Sequence, residues 1–261
     1  MIFAKKSLGQ NFLIDNNIIK KIVESTDIYN KDVIEIGPGK GALTSMILSK
    51  EPKSLIVIEK DESLYQELKI KYSGNKKIKV FNKDILKFNL EKITKAKSII
   101  FGNLPYNISS QILIKIIKFD KMPPNYSTLV FMFQKEVAER IVGKYNTNNY
   151  GRLSILANYK LQLVSKFDVS PNCFYPKPKV NSTVLKLVPV KKNKYKIRNI
   201  ENLEKVTNVL FSSKRKMINK SLKKILSIEQ IDLLGNIDLK SRPSNLKPEK
   251  FFKITEILEG C

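Results

Sequence analysis

The sequence predicts an α/β fold, a mostly parallel sheet of seven strands with helices between them, followed by a small all-helical segment. Three observations carry this. Short β-branched runs alternate with amphipathic stretches over the first 190 residues, the pattern of successive βαβ units. A glycine-rich turn, Gly37-Pro38-Gly39-Lys40-Gly41, follows the run Asp32-Val33-Ile34-Glu35-Ile36, where open sheets place their ligand crevice. Beyond Pro189 the strand-like runs stop and the pattern turns helical.

The elements follow in order. A helix is expected over 16–25, preceded by Gly9-Gln10-Asn11-Phe12-Leu13. Strands are expected at 32–36, 55–58, 78–81, 98–101 and 128–133, each a run too short for a helix and rich in Val, Ile and Phe. Amphipathic stretches at 42–50, 62–72 and 109–118 separate them. A helical region over 136–159 precedes two last strands, 163–169 and 182–188. Lys191-Lys192-Asn193-Lys194 reads as a short polar linker. The expected organisation is therefore one domain over 1–190 and a basic helical domain over 195–261.

Composition narrows the function. At 261 residues and 42% hydrophobic, the chain can bury a sizeable core. No apolar run approaches the roughly 18 residues of a membrane helix. The start, Met1-Ile2-Phe3-Ala4-Lys5-Lys6-Ser7-Leu8, lacks a signal-peptide pattern. Cys173 and Cys261 cannot build a disulfide framework or a Cys-x-x-Cys zinc site. A cytoplasmic, monomeric protein with no metal and no membrane partner is the expectation. There is no histidine, which excludes Ser-His-Asp hydrolysis and imidazole acid–base chemistry. Lys+Arg is 48 against 24 Asp+Glu, a net charge of +24. Such a field draws in polyanions through counterion release. Only five of those cations are Arg, so biased lysine usage is the competing explanation. Residues 191–261 carry 17 basic and 8 acidic side chains, making the smaller segment the denser in positive charge.

The glycine turn fits the loose G-x-G-x-x-G/A pattern, with Glu59 roughly 20 residues on. Alone, it suits NAD and S-adenosylmethionine alike. The next strand ends discriminate. Glu59 can accept from both hydroxyls of a ribose. Asp84, in Asn82-Lys83-Asp84-Ile85, is placed to accept from an adenine amine. Phe101-Gly102-Asn103-Leu104-Pro105-Tyr106 then ends the fourth strong strand. An Asn-x-Pro-Tyr motif there suits methylation of a planar amine, whose lone pair is delocalised into its ring. The Asn oxygen and a backbone carbonyl can accept the two amine hydrogens and localise that pair, while Tyr106 stacks on the base. No base is needed beforehand, which suits a chain without histidine.

Taken together, these motifs resemble the ribosomal RNA adenine N6-dimethyltransferases over nearly the whole chain. Gly9-Gln10-Asn11-Phe12-Leu13 resembles that family's N-terminal signature. Glu35-Ile36-Gly37-Pro38-Gly39, Glu59, Asp84 and Asn103-Leu104-Pro105-Tyr106-Asn107-Ile108-Ser109 resemble its cofactor and catalytic motifs. The resemblance implies a seven-stranded Rossmann-like S-adenosylmethionine-dependent methyltransferase sheet with a small C-terminal helical domain. It implies that Asn11, Leu13, Gly37, Glu59, Asp84 and Asn103 contact S-adenosylmethionine. Asn103, Leu104, Pro105 and Tyr106 would form the catalytic motif, with Phe174 clamping the flipped adenine opposite Tyr106.

Several segments resemble the small-subunit branch rather than the large-subunit resistance methylases: Gln134-Lys135-Glu136-Val137-Ala138, Tyr150-Gly151-Arg152-Leu153-Ser154, Leu210-Phe211-Ser212-Ser213-Lys214-Arg215-Lys216 and Asp238-Leu239-Lys240-Ser241-Arg242-Pro243. The implied target is two adjacent adenosines in a hairpin near the 3′ end of small-subunit rRNA, and the implied partner is the assembling 30S-type subunit. Lys60, after Glu59, and Ser110-Gln111 depart from the family's usual residues. Lys214, Arg215, Lys216, Lys220, Lys223 and Lys224 fall on an expected helix over 214–226, with Met217, Ile218, Leu222, Ile225 and Leu226 as its apolar stripe. No acidic residue interrupts 207–228, so this face is expected to bind RNA. The alternatives are a large-subunit methylase, a non-catalytic assembly factor and an NAD-dependent oxidoreductase.

Overall fold

The computed structural model describes residues 5, 9–191, 193–235 and 237–260; Cys261 and Lys192 of the expected linker lie outside them. The described chain divides into two compact units. One comprises the chain up to Ala138 together with Leu163–Pro189; the other comprises Glu139–Gln162 and everything from Val190 onward.

The first unit holds β1 (Phe12–Leu13), α1 (Asn16–Val23), β2 (Asp32–Ile36), α2 (Ala42–Ser49), β3 (Ser54–Glu59), α3 (Glu62–Lys71), β4 (Ile78–Asn82), α4 (Leu90–Ile93), β5 (Ser98–Asn103), α5 (Ser109–Ile117) and β6 (Tyr126–Gln134). The helix α6 (Lys135–Ile141) crosses to the second unit, α7 (Arg152–Lys160) belongs to it, and β7 (Leu161–Val169) returns. The first unit closes with β8 (Phe174–Tyr175) and β9 (Ser182–Pro189).

Seven strands form one sheet in the order β4-β3-β2-β5-β6-β9-β7. The first five are parallel to their neighbours, whereas β9 runs antiparallel to β6. Strand order reverses between β2 and β5, which makes their carboxyl ends the switch point where such sheets bind ligands. Alternate residues of these strands face opposite sides of the sheet. Val33, Ile99, Phe101, Val130 and Met132 join one core with helices α1 and α2, while the intervening Ile34, Ile100, Leu129 and Phe131 are equally buried. Both faces are covered, which is why the strands read as continuous apolar runs rather than as alternation. Side-chain caps fix the helix starts: Asp15 accepts from the Asn17 and Ile18 amides, and Asp61 from those of Ser63 and Leu64.

The second unit contains α7, α8 (Ile200–Phe211), α9 (Asn219–Leu222), α10 (Ile228–Asp232) and α11 (Pro248–Leu258). The expected single cut near 190 needs correcting. Tyr150, Ile155, Leu156 and Tyr159 pack with Leu203, Leu210, Phe251 and Phe252 in one core, so the 139–162 segment belongs with the C-terminal helices. The expected helix over 214–226 also needs correcting, because only Asn219–Leu222 is α-helical. The Ile218 amide donates to the Ser241 carbonyl at 3.0 Å and the Asn219 amide to that of Leu239 at 3.2 Å. These long-range bonds take the backbone donors that a continuous helix would have used. Ile218, Leu222 and Leu226 are buried as expected, but Met217 is exposed.

No helix among the described residues is long and apolar enough to cross a membrane.

Candidate active site

The carboxyl ends of β2, β3 and β5, the turn after β4 and the segment leading into β1 enclose one cavity of about 1130 Å³, counting its open mouth. Its walls include Asn11, Leu13, Gly37, Glu59, Asp84, Asn103, Leu104, Pro105 and Tyr106, so the structure brings together nine residues expected from five separate stretches of the sequence.

The floor is the turn between β2 and α2. Gly39 has φ +59°, and a Cβ there would stand 2.9 Å from the Phe12 ring; conformation and space both require glycine. A Cβ on Gly37 would stand 3.5 Å from the Asn103 carbonyl oxygen and 3.7 Å from Pro105 Cδ. The glycine turn and the Asn-Leu-Pro-Tyr segment are therefore within van der Waals reach.

Glu59 ends β3 almost buried. Its Oε1 accepts the Asp61 amide at 2.8 Å and its Oε2 the Gly39 amide at 3.3 Å. Burial lifts its pKa above the ordinary carboxylate range, and the two amide bonds offset this only in part. They fix the carboxylate in the cavity wall with lone pairs remaining for a diol. Beneath it, Glu35 is fully buried, with Oε2 accepting the Thr44 hydroxyl at 2.6 Å and no partner for Oε1 among the described residues. Burial pushes its pKa up to about 8, which leaves it protonated at neutral pH and spares Glu59 a like charge.

Asp84 behaves in the opposite way. Burial works against its ionisation, but the Lys60 ammonium at 3.0 Å and the Leu86 amide outweigh it and hold the carboxyl below its usual range. Lys60, noted in the sequence only as a departure, is thus the ion-pair partner of Asp84 and lines the same cavity.

Asn103 ends β5. Its Nδ2 donates to the Asn11 carbonyl at 3.2 Å, which assigns the amide orientation and leaves Oδ1 as the free acceptor. Gly102 before it is closely packed: a Cβ there would stand 3.2 Å from the Ile36 carbonyl oxygen and would displace the Leu104 side chain. Tyr106 is half-buried, its hydroxyl 2.6 Å from Ser182 Oγ at the start of β9, and burial raises its pKa.

Phe174 departs from expectation. It is 3% exposed and packs in the core with Leu13 and Cys173, and it is absent from the cavity walls. It pairs with Leu13 in the small β1–β8 ladder, and its ring joins the core that also holds Cys173, Val169 and the buried face of α1. Asp61 was not anticipated as a support. It accepts from Gln10 Nε2 at 3.2 Å and pairs with Lys5 at 2.9 Å, tying the segment that carries Asn11 to the start of α3. Its position as the cap of a helix two residues after Glu59 was the available signal.

Lys214, Arg215, Lys216, Lys220, Lys223 and Lys224 all lie exposed in the second unit, whereas the cavity is built from the first.

Residues 2–260 match the family model described as ribosomal RNA adenine dimethylase. The chain belongs to this family. It is accordingly an S-adenosylmethionine-dependent methyltransferase with an rRNA substrate. A protein named ribosomal RNA small subunit methyltransferase A from Pelagibacter ubique is 47% identical, over 98% of this chain and 97% of that one. A protein of the same name from Malacoplasma penetrans is 42% identical, over 97% and 91%. Among solved structures, a dimethyladenosine transferase from Plasmodium falciparum superposes with a TM-score of 0.78 at 27% identity, covering 93% of this chain and 95% of that one. The 23S rRNA methyltransferase ErmE gives 0.69 at 25%, covering 95% and 100%. The seven-stranded Rossmann-like methyltransferase fold expected from the sequence is borne out, and the family leaves no case for an NAD-dependent oxidoreductase. Identity to the small-subunit proteins, well above that to ErmE, disfavours the large-subunit alternative.

Proposed function

We propose that this protein dimethylates N6 of two adjacent adenosines in a hairpin near the 3′ end of small-subunit rRNA, acting on the assembling 30S-type subunit as a cytoplasmic monomer. The observation that carries the reading is Asn103. It lines a cavity also walled by Glu59, Asp84 and the glycine turn, and the Asn11 carbonyl accepts from its Nδ2, which leaves Oδ1 as the acceptor.

The residues fit S-adenosylmethionine on their donor chemistry. Glu59 offers paired acceptors for a ribose, Asp84 an ionised acceptor for an adenine amine, and Gly37 and Gly39 a close backbone surface. When bound, the cofactor supplies an electrophilic methyl group on a sulfonium. The chain's own part is to prepare the acceptor. Asn103 Oδ1 accepts one N6–H and a neighbouring backbone carbonyl the other, which localises the lone pair on nitrogen. Tyr106 lies against the base, its ring held by the bond to Ser182. The preorganised polar groups act in a partly water-excluded cavity, where they are worth more than in bulk water. In the second transfer the monomethylated amine carries a single hydrogen, so only one of these two acceptors is engaged. Exposed lysines and Arg215 between 214 and 224 supply the attraction to the phosphate backbone.

The test is direct. Purified protein, S-adenosylmethionine and unmethylated small ribosomal subunits should yield N6,N6-dimethyladenosine by nucleoside mass spectrometry, mapped to a 3′-terminal hairpin. Product confined to large-subunit RNA, or no product, would refute the proposal.

A further inference from the structure

The loop between β8 and β9 is anchored at both ends on cavity walls. At one end Tyr175 pairs with Phe12 across the β1–β8 ladder. At the other, Ser182 Oγ holds the Tyr106 hydroxyl at 2.6 Å. Phe12 and Tyr106 both line the cavity. Residues paired in an antiparallel ladder share a face, and successive residues alternate faces. Leu13 and Phe174 take the face turned into the core, so Phe12 and Tyr175 share the opposite one. Phe12 is covered there, with Lys40 Nζ 5.1 Å from its ring centroid. Tyr175 is 64% exposed.

The chain around Tyr175 is cationic. Lys177 and Lys179 follow it and are exposed, as is Lys40 by the paired Phe12, and the sequence has no acidic residue between Asp168 and Glu201. A large exposed aromatic ring beside lysines at the rim of a base-modifying cavity has the composition of a stacking platform for single-stranded nucleic acid. A methylated base must leave its helical stack to enter such a cavity, and this exposes a face of its neighbour in the strand.

We infer that this loop is a second RNA contact: Tyr175 stacks on the unpaired nucleotide next to the target adenosine, and Lys177 and Lys179 take the adjoining phosphates. The assignment rests on the function proposed above. Tyr175 is a positioning residue, which holds the strand so that the neighbouring adenine reaches Asn103. It succeeds where Phe174, one residue earlier, is turned into the core.

The test compares the full-length wild type with Tyr175→Ala, Tyr175→Phe and the double variant Lys177→Glu/Lys179→Glu, on unmethylated small subunits. Tyr175→Ala should raise KM for the subunits on the order of tenfold, the scale of removing one stacked base, with S-adenosylmethionine affinity unchanged. Tyr175→Phe should restore KM, because the ring and not the hydroxyl is used. The lysine double variant should weaken binding mainly at low salt. As a direct probe, a short single-stranded RNA with 2-aminopurine next to an adenosine should lose fluorescence on binding to wild type and Tyr175→Phe, but not to Tyr175→Ala. A wild type that methylates the subunits while Tyr175→Ala matches it in KM and in quenching overturns this inference alone. A wild type that transfers no methyl group overturns the proposed function, and this inference with it.

Discussion

The cavity of the first unit and the lysine-rich segment of the second are built on opposite principles. At the cavity, the three polar groups that would meet the cofactor and the base are each held by a backbone partner. Glu59 is held by two amides, Asn103 by the Asn11 carbonyl, and Asp84 by the Leu86 amide and Lys60. The supporting strands are buried on both faces, so those groups have little freedom. Between Lys214 and Lys224 the cations are exposed and stand on turns and a four-residue helix. Lone-pair localisation demands one geometry, whereas attraction to a polyphosphate depends on net charge and tolerates many. A substitution at the cavity should therefore change rate or cofactor affinity steeply, and one in the lysine segment should change salt dependence gradually.

The sharpest way to break this contrast is Asn103→Ala. It removes the acceptor for the amine hydrogen from a half-buried position, so the fold should survive. The single-turnover rate should fall roughly a hundred- to a thousandfold, the scale of losing one preorganised group at a reacting centre. Circular dichroism and RNA binding should stay normal. A rate within a factor of a few of wild type would show that the oriented amide is not used.

Glu59→Ala comes next. Losing charge-assisted bonds to a ribose should weaken S-adenosylmethionine binding by roughly 1.5–3 kcal/mol, or about ten- to a hundredfold, by calorimetry. The pH dependence carries the sign of the burial effect. The pKa of Glu59 is raised, so its carboxylate is lost on acidification earlier than that of a solvent-exposed Glu, near 4.3. Cofactor affinity should accordingly fall as pH drops through that raised value, and Glu59→Gln should flatten the dependence. An unchanged affinity in Glu59→Ala would reduce this residue to a support for Gly39 and Asp61.

The same contrast explains what could be read from the sequence. The inner strands β2, β3, β5 and β6 were legible because a doubly covered parallel sheet needs apolar runs, and the edge strand β4 from its short β-branched run; their ends carry the site. Glycines 37 and 39, Glu59, Asp84 and Asn103 were therefore placed by local pattern alone. The two-residue β1–β8 ladder was not legible: its pairing joins Phe12 to Tyr175 across most of the first unit, and no local period announces it. That missing ladder is why Phe174 was expected at the base and is found in the core. Lys60 was noticed as unusual, but its pairing with Asp84 depends on the register of β3 against β4. In the second unit the helical period over 214–226 located Ile218, Leu222 and Leu226 in the core. It could not reveal that Ser241 and Leu239 take the amides of Ile218 and Asn219.

The gentlest expected effect tests the other side of the comparison. Lys220, Lys223 and Lys224 are exposed, and the buried side chains of this segment are Ile218, Ser221, Leu222 and Leu226. Reversing the three lysines to Glu should therefore leave the helical core intact, with a thermal midpoint near that of wild type. No acidic residue lies between Thr207 and Ile228 to neutralise them locally, so these like charges repel in the free protein. A phosphate backbone would relieve that repulsion. For every phosphate that is no longer neutralised, the slope of log affinity against log salt should fall by roughly 0.7–0.9. The triple variant should thus bind small-subunit RNA more weakly and with a flatter slope. S-adenosylmethionine affinity should not move. The broken helix sharpens the expectation, because the three charges need not share a face to act through net field. Single reversals should then produce similar decrements, whereas one dominant lysine would indicate a specific site. A wild-type slope in the triple variant would show that this segment is merely solvated and that other cations hold the phosphates.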